Sequence, residues 1–258
     1  MDTAELELLS DTFHKTMVEA PDLESALSEL GWADLLTELP DVAIPTVFRL
    51  LGETGSHAGL VNDVILHAAG RPVGGAVPLP YTGGRWVLWE RSATGGGALD
   101  EELPLRPVPS GDAIPMTHGR LAVGWWLAGT ARAMLELART HALDRIQFGR
   151  PIASFQAVRH RLAETLVAIE GAEATLAAAT DELSALLAKA AAGTAAIAAA
   201  RHCQQVMGGI GFTAEHSLHR HVRRALVLDG LLGSTRDLTR EAGALLRQRG
   251  TAPRLVHL

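Results

Sequence analysis

The sequence predicts a mainly α-helical protein with a strongly reduced β region in its middle. A helical N-terminal domain is expected over residues 1–70, a reduced β or irregular region over 71–115, and a C-terminal antiparallel bundle of four to five helices over 116–258. Three observations carry this reading. Apolar residues recur at three- and four-residue spacing over 4–70 and again from His118 to Gln248. Glycine and proline crowd the chain between Arg71 and Asp112. A hydrophobic fraction of 47% against 20% charged residues is that of a globular chain with a sizeable core.

Leu6, Leu8, Leu9, Phe13 and Met17 mark the first helix, and Leu23, Leu27 and Leu30 a second that Gly31 stops. Apolar stretches at Val47–Leu51 and Leu60–Ala69 follow, the latter closed by Gly70. In the middle region Arg85-Trp-Val-Leu-Trp-Glu90, behind a Gly83-Gly84 turn, is the best strand. Leu103-Pro-Leu-Arg-Pro-Val-Pro is extended and suits an edge or a linker. A long helix runs from Leu121 towards Asp144. On the next helix Phe155, Val158, Leu162, Leu166, Ile169, Glu173 and Leu176 trace a stripe that is apolar except at Glu173. An alanine-rich helix spans Ser184–Met207, its Gly193 leaving a smooth face for close packing. Helices over Glu215–Gly230 and Arg236–Arg249 complete the bundle.

Composition excludes several classes. A net charge of −6 without any basic block interleaved with aromatics argues against nucleic-acid binding. Cys203 is the single cysteine, so no intrachain disulfide forms, as expected in a reducing cytoplasm. The acidic start lacks an apolar core, and the most apolar run, Ala190–Ala200, is short and flanked by Lys189 and Arg201. Neither a signal peptide nor a membrane span is expected.

Two segments combine the donors and glycines that hold a phosphate-bearing group. In Asp144-Arg-Ile-Gln-Phe-Gly-Arg-Pro-Ile152, Arg145 follows a helix end. A cation there interacts with the helix dipole, and its guanidinium geometry equally suits a diphosphate. In Gln205-Val-Met-Gly-Gly-Ile-Gly-Phe212 the glycines terminate a helix rather than follow a strand, which excludes a Rossmann fingerprint. Three glycines in four residues exceed what a helix cap needs and imply close backbone approach to a ligand or another chain. His216, His219 and His221 do not share one helix face, so solvated or interface histidines are expected rather than a metal site. Arg220, Arg223 and Arg224 read as a solvated or salt-bridged face, and Trp125 and Trp126 as core or helix-seam residues.

These residues together resemble the acyl-CoA dehydrogenase family of flavoproteins, most strongly over 118–250. The resemblance rests on Asp144–Ala163, on Gln205–Phe212 and on Glu215-His-Ser-Leu-His-Arg-His-Val-Arg-Arg224. It implies FAD held across a subunit interface, with this region gripping the ADP half. Carried over by motif, Arg145 would contact the pyrophosphate and Phe148 and Gln156 would shape the adenine side. Gln205, Gly208 and Gly209 would supply donors and close backbone. The family reaction removes an α-proton while hydride leaves the β-carbon for the flavin, and so needs a carboxylate over the substrate. Here the usual position is Leu232 and the alternative falls near Gly119, neither of which takes a proton. Asp229 and His118 are the nearest substitutes. With the middle region reduced as well, the resemblance extends to the shortened, base-lacking subunit of α2β2 acyl-CoA dehydrogenases, some of which act on steroid side-chain thioesters. It implies a larger partner subunit that carries the base and most of the acyl-CoA site. The alternatives are a self-sufficient homomeric enzyme with an atypical base and a flavin-free helical scaffold.

Overall fold

A computed structural model describes residues 2–91 and 100–252. Met1, part of the expected middle region (92–99) and the last residues of the expected bundle (253–258) lie outside the described residues. The protein is mainly α, with two small antiparallel sheets among the described residues.

Five helices open the chain: α1 (Thr3–Glu19), α2 (Leu23–Glu29), α3 (Trp32–Glu38), α4 (Pro40–Thr54) and α5 (Leu60–Ala68). Asp2 starts α1 through a capping box, accepting from the Glu5 N–H while Glu5 accepts from its own. The periodicity gave no sign of α3, a seven-residue helix between Gly31 and Pro40 that buries Trp32 and Leu36 one turn apart. Gly31, expected only to stop the preceding helix, also serves as the N-cap of α3 with φ of 80°. The Val47–Leu51 stretch is the buried end of a longer helix, α4. Pro40 occupies its first turn, where a missing N–H costs nothing.

The middle region forms three antiparallel strands, β1 (Pro78–Tyr81), β2 (Arg85–Trp89) and β3 (Leu105–Val108), with β2 central. Gly83 and Gly84 both adopt positive φ in the β1–β2 turn. Leu79, Val87, Trp89 and Leu105 face the core, while Pro107 lies on the outer edge strand.

The bundle comprises α6 (Thr117–Asp144), α7 (Gln156–Ala177), α8 (Glu182–Met207), α9 (Leu218–Gly230) and α10 (Thr235–Arg249), with a small hairpin, β4 (Ile146–Gln147) and β5 (Arg150–Pro151), between α6 and α7. Arg132 of α6 pairs with Glu170 and Glu173 near the end of α7, while Arg161 near the start of α7 meets His202 near the end of α8. The helices α6 and α8 therefore run parallel, and their C-termini share one end of the bundle. Glu173, the polar step of the α7 stripe, is used by this pairing. The stripe itself needs correction, because Leu166 is 42% exposed and Thr165 is buried in its place. The Thr165 hydroxyl donates to the Arg161 carbonyl and contacts His202 Nδ1 at 2.8 Å.

Glycines set the closest crossings. A Cβ at Gly52 would fall on the backbone of α6 at Trp126 and Thr130, and one at Gly129 on the Arg49 carbonyl of α4. Trp126 is fully buried between Phe48 and Trp89, with ring centroids 6.0 and 5.6 Å away, whereas Trp125 is only half-buried.

The arginine run is salt-bridged as expected. Arg224 is buried, pairs with Asp100 and Glu102, and donates to the Gly55 and Ser56 carbonyls, joining α9 to both preceding regions. His221 departs from the expected solvated histidines. It is 8% exposed, and its Nδ1 has no partner among the described residues. Burial, reinforced by the neighbouring Arg224, pushes both His57 and His221 down to about 4. Both are therefore neutral in the folded state near pH 7, while an unfolded histidine titrates near 6.5. Their contribution is fully present above pH 6.5 and is lost as pH falls towards 4. Melting temperature is expected to drop through that window, by an amount equivalent to roughly 1–3 kcal/mol. His221→Leu should flatten the slope, and an unaltered slope in that variant would contradict the assignment.

Candidate functional site

Every predicted cofactor residue lies at the end of the bundle where α6 and α8 terminate and α7 begins. Arg145 caps α6, its N–H donating to the His141 carbonyl, and its own carbonyl accepts from the Ile152 N–H at 2.8 Å to close the β4–β5 hairpin. Among the described residues its exposed guanidinium has no ion-pair partner. The hairpin loop is two residues long, Phe148 with φ of 54° and Gly149 with φ of 77°. Positive φ at both positions matches the strand twist and favours asparagine or glycine, not an aromatic residue. Phe148 nevertheless sits there 91% exposed, its ring centroid 6.0 Å from that of Phe155 in an edge-to-face arrangement. Folding offers no reason for a bulky ring in that position, which points to a role outside this chain.

The glycine segment resolves into three different requirements. Gly208 ends α8 with φ of 64° and ψ of −140°, a conformation essentially reserved for glycine. Gly211 is held by sterics, since a Cβ would come within 2.9 Å of the Gln204 carbonyl. Gly209 is required by neither: its φ is ordinary and a Cβ would meet nothing within 4 Å. The third glycine therefore leaves bare backbone facing outward. Gln205 is exposed on the last turn of α8, and Gln156 is exposed on the first turn of α7, 3.3 Å from His160. His141, at the end of α6, lines a groove of about 360 Å³ with Leu137, Asp144 and His216, which follows the glycine segment. Burial, then Arg145 and His216, holds the His141 imidazole below its ordinary range. An unpaired guanidinium, an exposed aromatic ring and bare amide backbone are the chemistry that a diphosphate joined to a flat base requires. All of it lies on an open surface, so the arrangement fits one half of such a ligand.

The two positions expected to carry a base, 113 residues apart, meet in space. A Cβ on Gly119 would lie 3.0 Å from Leu232 Cδ1 and 2.7 Å from Ile65 Cγ1. Leu232 is 1% exposed and takes φ of 59°, a strained value for a leucine. Asp229 is committed elsewhere: its carboxylate accepts from the Thr235 hydroxyl at 2.6 Å and from the Thr235 N–H at 3.2 Å, and Gly193 makes room for this pair against α8. His118 is exposed, while its neighbour Gly119 is buried, so the two occupy different faces of α6. Cys203 is buried, which pushes its thiol up to about 12. No metal-binding cluster occurs among the described residues.

Lys189 was the functional-looking residue that sequence reasoning passed over, taking it for a flanking charge. It is fully buried, and its Nζ donates to the carbonyls of Asp229 at 3.1 Å and Gly233 at 2.7 Å. Burial pushes its ammonium down to about 7. Its spacing of four from Gly193 places both on the helix face that meets the α9–α10 turn, a signal the sequence did contain.

Comparison with known proteins finds a match between residues 114–242 and the family model described as acyl-CoA dehydrogenase, C-terminal domain. The acyl-CoA dehydrogenase FadE34 of Mycobacterium tuberculosis is 34% identical over 93% of this chain and 35% of its own length. The chain spans about a third of the length of the curated relatives it matches. Among solved structures, the Tcur3481–Tcur3483 steroid acyl-CoA dehydrogenase variant aligns with a TM-score of 0.74 at 18% identity, covering 96% of this chain and 98% of that one. The ChsE4–ChsE5 complex of M. tuberculosis aligns with a TM-score of 0.68 at 18% identity, over 98% and 99% of the two chains. At these identities the structures establish the fold.

Gly208 and Gly209 are expected to respond differently to substitution. Gly208→Ala is expected to cost about 1–3 kcal/mol of stability, whereas Gly209→Ala leaves the melting temperature unchanged. Equal effects in thermal unfolding would contradict the distinction.

Proposed function

The chain belongs to the acyl-CoA dehydrogenase family, and from that membership we propose that it is a subunit of a heteromeric, FAD-dependent acyl-CoA dehydrogenase. FAD is the cofactor of this family, and when bound it accepts the hydride of α,β-desaturation. On this reading the chain works in the cytoplasm and supplies the ADP half of the cofactor site. A larger subunit supplies the flavin-ring half, the base and most of the acyl-CoA site. Arg145 holds the pyrophosphate, Phe148 and Gln156 border the adenine, and Gln205 with the Gly208–Gly209 backbone donates to the sugar-phosphate. Residues 1–70, 71–115 and 116–258 serve as the three domains.

The observation that carries the proposal is the openness of the half-site. Arg145, Phe148, Gln156, Gln205 and Gly209 are all exposed, with nothing of the described chain opposite them. A dinucleotide held there is buried only if a second chain covers it. The apolar contact of Leu232 with Gly119 supports placing the base elsewhere. The similar ChsE4–ChsE5 structure is a complex and the similar Tcur3481–Tcur3483 structure a steroid acyl-CoA dehydrogenase, which favours a heteromeric assembly acting on a steroid-linked or fatty acyl thioester. A homomeric enzyme would need Asp229 or His118 as its base, and neither is placed for it.

Arg145→Ala tests the reading in the assembled complex. Loss of a charge-assisted contact to a diphosphate is expected to weaken FAD binding roughly 10–100-fold, read as flavin absorbance retained after dialysis. The melting temperature of the chain alone should not change, because Arg145 is exposed and has no ion-pair partner among the described residues. Undiminished flavin would favour the scaffold reading.

A further inference from the structure

The three-stranded sheet turns one face to the helices, and the helices do not fill it. By register Leu79, Val87 and Pro107 stand side by side on that face, with Trp89 and Leu105 to one side and Tyr81 and Arg85 at the turn end. Trp89 is buried against Trp126. Towards the turn this packing gives way to a cavity of about 740 Å³ between the sheet and α9, lined by Tyr81, Arg85, Val87, Leu105, Pro107 and Val227. It lies on the flank of the fold, beside the last turns of α9, and shares no residue with the open half-site at Arg145.

The lining is divided by chemistry. Val87, Leu105 and Val227 are buried and make an apolar floor. The mouth holds Tyr81 and Arg85, cross-strand partners whose ring and guanidinium stack at 5.3 Å. The Tyr81 ring rests on Gly230, where a Cβ would come within 2.7 Å of it, so α9 fixes the stack from the other side. Arg85 is exposed, and its Nε donates to the Thr82 carbonyl at 3.2 Å. Arg106 on the next strand is neutralised by Glu90, whereas Arg85 has no ion-pair partner among the described residues. Burial holds the Tyr81 hydroxyl above its ordinary range, so it stays protonated and able to donate. Asp229, whose charge reaches Tyr81, already accepts from Thr235.

A cavity of about 300–1,000 Å³ with mostly apolar walls and a few polar groups is the kind that buries a small ligand. The unneutralised cation selects its charge, because a guanidinium with unused terminal nitrogens is matched by a carboxylate. We propose that the cleft between the sheet and α9 binds a small carboxylic acid with an apolar body, its carboxylate on Arg85 and Tyr81 and its body on Val87, Leu105 and Val227. A CoA thioester does not fit this description, since its carbonyl is uncharged and its bulk begins where the carboxylate would sit. The site stands independently of the subunit reading above.

Isothermal titration of the full chain with decanoate at neutral pH tests it, beside decyltrimethylammonium and decanoyl-CoA. Decanoate is expected to bind saturably with one site per chain, and the other two are not. Hydrogen–deuterium exchange should show decanoate protecting 85–89 and 223–228 while the segment 145–156 is unchanged. Arg85→Gln should weaken decanoate binding roughly tenfold without moving the melting temperature, because the side chain is exposed. Val227→Phe should abolish binding by filling the cavity, and Arg85→Gln decides the matter if that variant does not fold. Absence of saturable binding, equal affinity in Arg85→Gln, or equally tight binding of decyltrimethylammonium or decanoyl-CoA would overturn the proposal. Protection confined to the Phe148 end would do the same. A dimer of the chain that decanoate disperses would assign the cleft to a second copy and overturn it too.

Discussion

The crossing of α4 and α6 is the constraint on which the rest depends. Gly52 and Gly129 remove both side chains from the contact, so the two helix backbones touch and the N-terminal helices become one body with the bundle. That contact leaves no freedom in how α6 lies, and α6 carries both ends of the functional argument. Its first turn presents Gly119 to Ile65 and Leu232; its last residue, Asp144, leads into Arg145 and the hairpin. Trp126, packed between Phe48 and Trp89 at the same crossing, fixes the rotation of the helix and hence which residues each end displays. A side chain at either glycine would have to separate backbones rather than displace a rotamer, so the position tolerates little.

From this frame the two ends of the bundle divide their roles. The end where α6 and α8 finish is polar, open and built of residues the fold does not need in those conformations, Phe148 and Gly209 above all. The opposite end is apolar, closed and tied by hydrogen bonds from β1, α6 and α8 to one short turn. A buried lysine and a strained leucine hold that turn in place. On the proposed reading the open end meets the cofactor, and the partner subunit carries the chemistry.

Much of this was legible in the sequence where information is local. Helix extents followed largely from periodicity and caps, and the edge character of β3 from its prolines, while the two short motifs proposed to hold the cofactor are brought by the fold to the same end. Contacts between distant positions were not legible. Nothing in the spacing of Gly119 and Leu232 says that they touch, and the glycine that ends one helix, Gly31, conceals that it also begins α3. The identity of a residue also concealed its environment. Lys189 reads as a surface charge and His221 as a solvated imidazole until the alanine-rich helix and Arg224 are seen to enclose them. On α7, Thr165 rather than Leu166 takes the buried face, where its hydroxyl meets His202, a partner the apolar pattern does not reveal.

The central claim, that this chain holds half of a flavin site and no complete one, is tested most directly by purifying it alone and again after co-expression with a full-length acyl-CoA dehydrogenase homologue, then measuring flavin per chain. The account predicts a colourless protein without dehydrogenase activity alone, and stoichiometric FAD only in the assembled complex. A yellow protein carrying one FAD per chain and desaturating an acyl-CoA by itself would contradict it.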